Sequence, residues 1–206
     1  MKLQFDKNQS YQLDAIQSIV DLFEGQDLNK SDFEYSFSDT GKGSLQFTEA
    51  GVGNNLALSE EELLANLVKV QTNNQLRSDE ISTTIEKLWY NEDAEVKGIV
   101  AGKTIVTEFP NYSVEMETGT GKTYVYLRTI YELNKVYGFK KFVIVVPSVA
   151  IREGVLKSLQ ITFDHLQEIY ENQPAEYKVY DSGRLTELGN FAKSNAIQIL
   201  VINIDS

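Results

Sequence analysis

Apolar side chains recur along this chain with two different periods, and the change between them divides it. Leu13, Ile16, Ile19, Val20 and Phe23 fall on one face of a helix, so residues 11–24 are predicted helical. Ser10 is placed to cap its start and Gly25 to stop it. Residues 26–58 are rich in Asp, Ser, Gly and Asn, with short alternating runs at 33–37 and 44–47, which predicts loops and a hairpin. Ser59-Glu60-Glu61-Glu62 has the spacing of a capping box and opens a helix with Leu63, Leu64, Leu67, Val68 and Gln71 on one side. Ile81, Ile85 and Leu88 predict another helix over 78–90.

From about residue 96 the period shortens to that of strands. Residues 98–106 suit a hairpin, and Tyr112-Ser113-Val114-Glu115-Met116 a short strand running into a glycine-rich loop. Val125, Leu127, Ile130 and Leu133 predict a helix over about 122–134, ended by Gly138. Lys141–Val146 is a near-continuous apolar strand of the kind buried on both faces, stopped by Pro147 and followed by a helix at about 149–160. A strand at 177–180, a helix at 185–193 and a strand at 197–204 complete the pattern. This alternation describes an α/β fold, an open parallel sheet flanked by helices with right-handed crossovers.

Composition narrows the chemistry. The 206 residues suffice for one core, with room for a sizeable insertion. There is no cysteine, hence no disulfide or thiolate metal site, and the single histidine, His165, excludes a multi-histidine one. His165 itself reads as a helix-surface or core-edge residue. No apolar run follows the N-terminal lysine as in a signal peptide, and no stretch approaches a membrane span, so a cytoplasmic location is expected. The net charge of −11 argues against tight nucleic-acid binding by this piece alone. It leaves room for a local basic strip.

One segment carries specific chemistry. Met116-Glu117-Thr118-Gly119-Thr120-Gly121-Lys122-Thr123 has the composition of a phosphate-binding loop. Glycines let successive backbone N–H groups curl towards an anion, and the following helix adds its positive end. Thr118, Gly119, Thr120, Gly121, Lys122, Thr123 and Tyr124 are the candidate contacts to ATP. Lys122 is expected on the β- and γ-phosphates, and the Thr123 hydroxyl on Mg2+. The full pattern asks for glycine where this chain has Met116. The bland alternative is a glycine-rich turn with no ligand.

The same eight residues resemble motif I of superfamily 2 helicases. Phe5 followed by Tyr11-Gln12 is similar to the Q motif, which implies that Gln12 reads adenine with Tyr11 or Phe5 packed nearby. Taken alone, Gln12 is a solvated helix residue. Val145–Gly154 resembles motif Ia, which implies that Pro147, Ser148 and Arg152 touch a nucleic-acid backbone. The alternative is an ordinary strand end, with Arg152 paired to a surface carboxylate. Residues 11–16, 20–26, 114–129, 146–155 and 202–205 are together similar to the restriction (Res) subunit of type III restriction–modification enzymes. The resemblance implies a RecA-like P-loop domain, an incomplete first motor domain. It divides into a Q-motif region at 1–29, an α+β insertion at about 30–95 and the P-loop core at 96–206. It also implies ATP and Mg2+ as cofactors, double-stranded DNA as substrate and a modification methyltransferase (Mod) as partner. The resemblance implies as well that ATP hydrolysis is coupled to DNA cleavage by a C-terminal nuclease domain.

No Asp-Glu pair follows a strand within the sequence; Asp205 ends one but is followed by serine. The Glu60-Glu61-Glu62 run lies at a helix start and reads as capping. The expectation is therefore an N-terminal piece that is inactive alone. Other readings are a different superfamily 2 helicase, a type I restriction motor, a small-molecule kinase, or a nucleotide-gated binding module. The resemblances around Gln12 and Val145–Gly154 favour a motor over a kinase.

Overall fold

The computed structural model describes residues 5–28, 35–38, 46–49, 53–88, 98–100, 103–105, 109–181 and 190–204. In chain order the elements are α1 (Ser10–Asp21), β1 (Tyr35–Ser38), β2 (Gln46–Glu49), α2 (Glu60–Asn73), β3 (Lys87–Leu88), β4 (Gly98–Val100), β5 (Lys103–Ile105), β6 (Phe109–Pro110), α3 (Lys122–Tyr137), β7 (Lys141–Val146), α4 (Val149–Ile169), β8 (Ala175–Val179) and β9 (Ile197–Asn203). Three strands form the central sheet in the order β7-β9-β8, and both pairings are parallel. The two expected hairpins are present as antiparallel pairs, β1 with β2 and β4 with β5.

β9 is the centre of the molecule because five of its seven residues are apolar and both its faces are covered, the fully buried Gln198 being the polar exception within the strand and Asn203 closing it. Ile197 and Val201 are fully buried, and Ile199 and Leu200 nearly so. Ile197, Ile199 and Val201 pack with Leu127, Ile130 and Tyr131 of α3 and with Val155, Leu159 and Leu166 of α4. Each such side chain contributes about 1.5–3 kcal/mol when fully buried. On the far side of α3, Val125, Leu133 and Tyr137 meet Ile16 and Val20 of α1, and the Tyr137 hydroxyl donates to the Val20 carbonyl at 2.9 Å. The helix α3 therefore lies between the sheet and α1, and this sandwich sets the position of the glycine-rich loop.

Several elements differ from the sequence reading. Residues 112–117 form no strand; a strand needs a hydrogen-bonded neighbour, and among the described residues the backbone pairing ends at Asn111, whose N–H donates to the Glu86 carbonyl at 2.8 Å. Val114 is accordingly exposed. Of the helix expected over 78–90, residues 78–88 instead form turns and the two-residue β3, and 89–90 lie outside the described residues. Ser82 explains part of this: its N–H and hydroxyl pair with the Gln71 amide at 2.8 Å each, a side-chain alternative to helical bonding. The helix α4 runs to Ile169 rather than stopping near 160, since Leu159, Thr162 and Leu166 keep burying one face. The strand β7 is buried on one face only, with Val143 at 53% and Val145 at 61% exposure. At α1, Gln9 rather than Ser10 holds the cap position and makes no side-chain cap bond. Of the helix expected at 185–193, residues 185–189 lie outside the described residues, as does Asp205.

Candidate nucleotide-binding site

The loop preceding α3 owes its shape to two glycines. Gly119 and Gly121 both take left-handed backbone angles, φ +86° and +88°, which L side chains rarely adopt. Gly121 is restricted twice: a Cβ there would sit 2.7 Å from the Gln12 side-chain nitrogen, whereas one at Gly119 would meet nothing within 4 Å. Gly121 also caps α3, so the helix's positive end opens directly onto the loop. Among the described residues, no carbonyl accepts from the backbone N–H groups of Gly121, Lys122 or Thr123. These donors, at a helix N-terminus, form the type of concave amide surface that takes phosphate oxygens.

The loop is closed by the Glu117 carbonyl. It accepts from the Lys122 ammonium at 3.1 Å and from the Thr120 hydroxyl at 2.7 Å. Lys122 is thus held across the loop mouth while staying exposed. Thr123 faces a groove of about 720 Å³ that it shares with Tyr126, β7, and Ile151 and Gly154 of α4. Burial raises the Tyr126 pKa, and a hydrogen bond with Thr123 partly offsets this. Donors, an ammonium and a hydroxyl therefore line one loop, the set required by a Mg2+–nucleotide. Met116, where the pattern asks for glycine, packs its side chain against the α1–α3 core.

The other candidate residues are placed as follows. Gln12 is 8% exposed, and its amide donates to the Thr120 carbonyl at 2.8 Å, so it braces the loop. Tyr11 is exposed and donates to Gln9. Tyr124 turns away from the loop, its hydroxyl 2.9 Å from His165 Nε2. Tyr11 and Thr120 border a second cavity of about 960 Å³, reached also by Leu67 and Gln71 of α2. Asp14, Glu80, Glu115 and Glu117 line it, and no Lys or Arg does among the described residues, so its charge does not suit a polyanion.

At the carboxyl end of β7, Ser148 caps α4, accepting from the Ile151 N–H at 3.4 Å. Arg152 pairs with Glu153 at 3.1 Å and reaches Asn203, at the end of β9, at 3.3 Å. The carboxylate pairing foreseen as the alternative for Arg152 is the arrangement seen. Sequence reasoning gave no role to Glu117, Arg128 or Asn203. For Asn203 the available signal was its position at the carboxyl end of a buried strand, where ligands of open α/β sheets gather.

Comparison with known proteins places the chain. The family described as "Type III restriction enzyme, res subunit" matches residues 6–206. The chain is similar to the StyLTI Res subunit of Salmonella typhimurium, 39% identical over 110 residues, covering 45% of this chain and 11% of that protein. Against the EcoPI Res subunit of Escherichia phage P1 it is 33% identical over 165 residues, covering 72% of this chain and 15% of the relative. Against the EcoP15I Res subunit of Escherichia coli it is 33% identical over 142 residues, covering 57% and 14%. The chain thus spans between 11% and 15% of the length of these curated relatives. With a parallel sheet flanked by helices, as in a RecA-like helicase fold, the chain belongs to the Res-subunit family of type III restriction enzymes.

Proposed function

We propose that this chain carries the nucleotide-binding part of the ATP-dependent motor of a type III restriction enzyme. The observation that supports it best is the loop at 117–123: two left-handed glycines, unengaged N–H groups at a helix start, and a lysine pinned across the mouth. In this reading Gly119, Thr120, Gly121 and Thr118 surround the phosphates, Lys122 neutralises their charge, and the Thr123 hydroxyl is a ligand of Mg2+. Mg2+ supplies further neutralisation of the phosphate oxygens. Gln12 and Tyr11 belong to the base end of the site, Gln12 meanwhile bracing the loop, whereas Tyr124, a candidate contact by sequence, is buried against Phe5 and His165.

Pro147, Ser148 and Arg152 are assigned to the DNA backbone, with Arg152 exchanging Glu153 for phosphate. The division into 1–29, 30–95 and 96–206 is part of the same proposal; α2 is not detached from the first part, since Asn66 donates to the Leu22 and Glu24 carbonyls at 3.1 and 2.9 Å. Partnership with a Mod methyltransferase, DNA cleavage and a cytoplasmic location follow from the family for the whole protein. Among the described residues no helix is long and apolar enough to cross a membrane.

The test is ATP hydrolysis by the full-length protein with its Mod partner, with and without double-stranded DNA. DNA-stimulated hydrolysis that Lys122→Ala abolishes is expected. Hydrolysis at the native rate in that variant would overturn the assignment.

A further inference from the structure

Residues 5–9 have no regular structure ahead of α1, yet they are fastened to α3 and α4. The Phe5 ring stacks on Tyr124, centroids 5.7 Å apart and 7° from parallel, and lies 5.2 Å from the His165 ring. Arg128 of α3 donates from Nη1 to the Lys7 carbonyl at 2.7 Å and from Nε to the Tyr170 hydroxyl at 3.3 Å. Tyr170 in turn donates to Glu132 at 2.7 Å. Arg128 is only 7% exposed. Burial opposes its charge, but the Tyr170 and Tyr124 hydroxyls hold its pKa above the usual arginine value.

A guanidinium this buried is costly unless its donors are used, and one of them holds a backbone carbonyl of an otherwise irregular segment. That segment leads directly into Gln9, whose carbonyl accepts from the N–H groups of Gln12 and Leu13 at 3.1 and 3.0 Å. Gln12 then reaches the loop at Thr120. The rest of α1 is held independently by Ile16 and Val20 in the core. Within α1 and the residues before it, only the first turn and residues 5–9 are held by way of Arg128, whose other bond goes to Tyr170.

We infer that Arg128 is a positioning residue: by gripping the Lys7 carbonyl it sets the register of residues 5–12 against the phosphate-binding loop, and so governs binding of the nucleotide's base without touching the nucleotide. The inference rests on the nucleotide site proposed above. Two ligands separate base from phosphate, MgATP and inorganic tripolyphosphate. Arg128→Gln is expected to weaken MgATP about tenfold and to leave tripolyphosphate unchanged. Phe5→Leu, on the other fastening point, is expected to show the same split. Equal loss of both ligands, or native ATP affinity in both variants, would overturn the inference.

Hydrogen exchange decides the matter without a ligand. In Arg128→Gln the amides of Gln12 and Leu13 should exchange at least about tenfold faster, while those of Val20 and Leu133 stay as in the native protein. Uniform acceleration, or none, would contradict a positioning role. Lys122→Ala, run alongside, loses both ligands if the phosphate site is right; if it keeps both, the nucleotide reading fails and the exchange result still judges Arg128.

Discussion

Gly119 and Gly121 are equivalent by composition and differ in what surrounds them. Alanine at Gly119 meets open space and carries only the left-handed backbone cost, about 1 kcal/mol. Alanine at Gly121 also displaces the flexible end of Gln12, 2.7 Å away, and with it the bond to the Thr120 carbonyl, expected to cost about 1 kcal/mol beyond that. Urea denaturation of the two variants measures the difference. His165 supplies a pH-dependent case. Burial first, and then the nearby Arg128, lower its pKa below the ordinary 6.5, with Lys7 acting in the same direction and Glu168 against it. As pH falls below 6.5 the unfolded chain takes up a proton that the folded chain resists, so stability declines through that window and is full above it. His165→Gln keeps an acceptor for Tyr124 and does not titrate. Its melting temperature should therefore fall less between pH 6.5 and 5.5 than that of the native protein. At this scale Lys122 and Thr123 are legible from spacing alone. Arg128 is not, because an arginine between Leu127 and Thr129 reads as a solvated helix residue until the Lys7 carbonyl is seen beneath it.

The elements legible in sequence are those whose partners lie within their own pattern. The capping box of α2 is complete, Ser59 accepting from the Glu62 N–H at 3.3 Å and the Glu62 carboxylate from the Ser59 N–H at 2.8 Å. Ser59→Ala is expected to cost about 1 kcal/mol, seen as faster hydrogen exchange in the first turn of α2. The β-branched runs of β7 and β9 announce themselves in the same way. What the pattern does not encode is the neighbour. Residues 112–116 look like a strand and find no paired edge among the described residues, and β7 looks doubly buried but shows Val143 and Val145 to solvent. The two strands should therefore respond differently. Val145→Thr is expected to change stability by less than about 0.5 kcal/mol. Ile199→Ala, at a site 2% exposed in the α3–α4 core, should cost about 2–5 kcal/mol. Chemical denaturation distinguishes them.

For the molecule as a whole, the parallel sheet, α3 sandwiched between it and α1, and the loop at the start of α3 form one unit around the proposed phosphate site. The net charge of −11 argues against tight DNA binding by this chain alone. The measurement that bears most directly on this account is calorimetric titration of MgATP into the native protein and into Lys122→Ala. The account predicts saturable binding to the native chain and its loss in the variant, because removing the ammonium removes the charge-assisted contact to the phosphates. Equal affinity in the two proteins would contradict it.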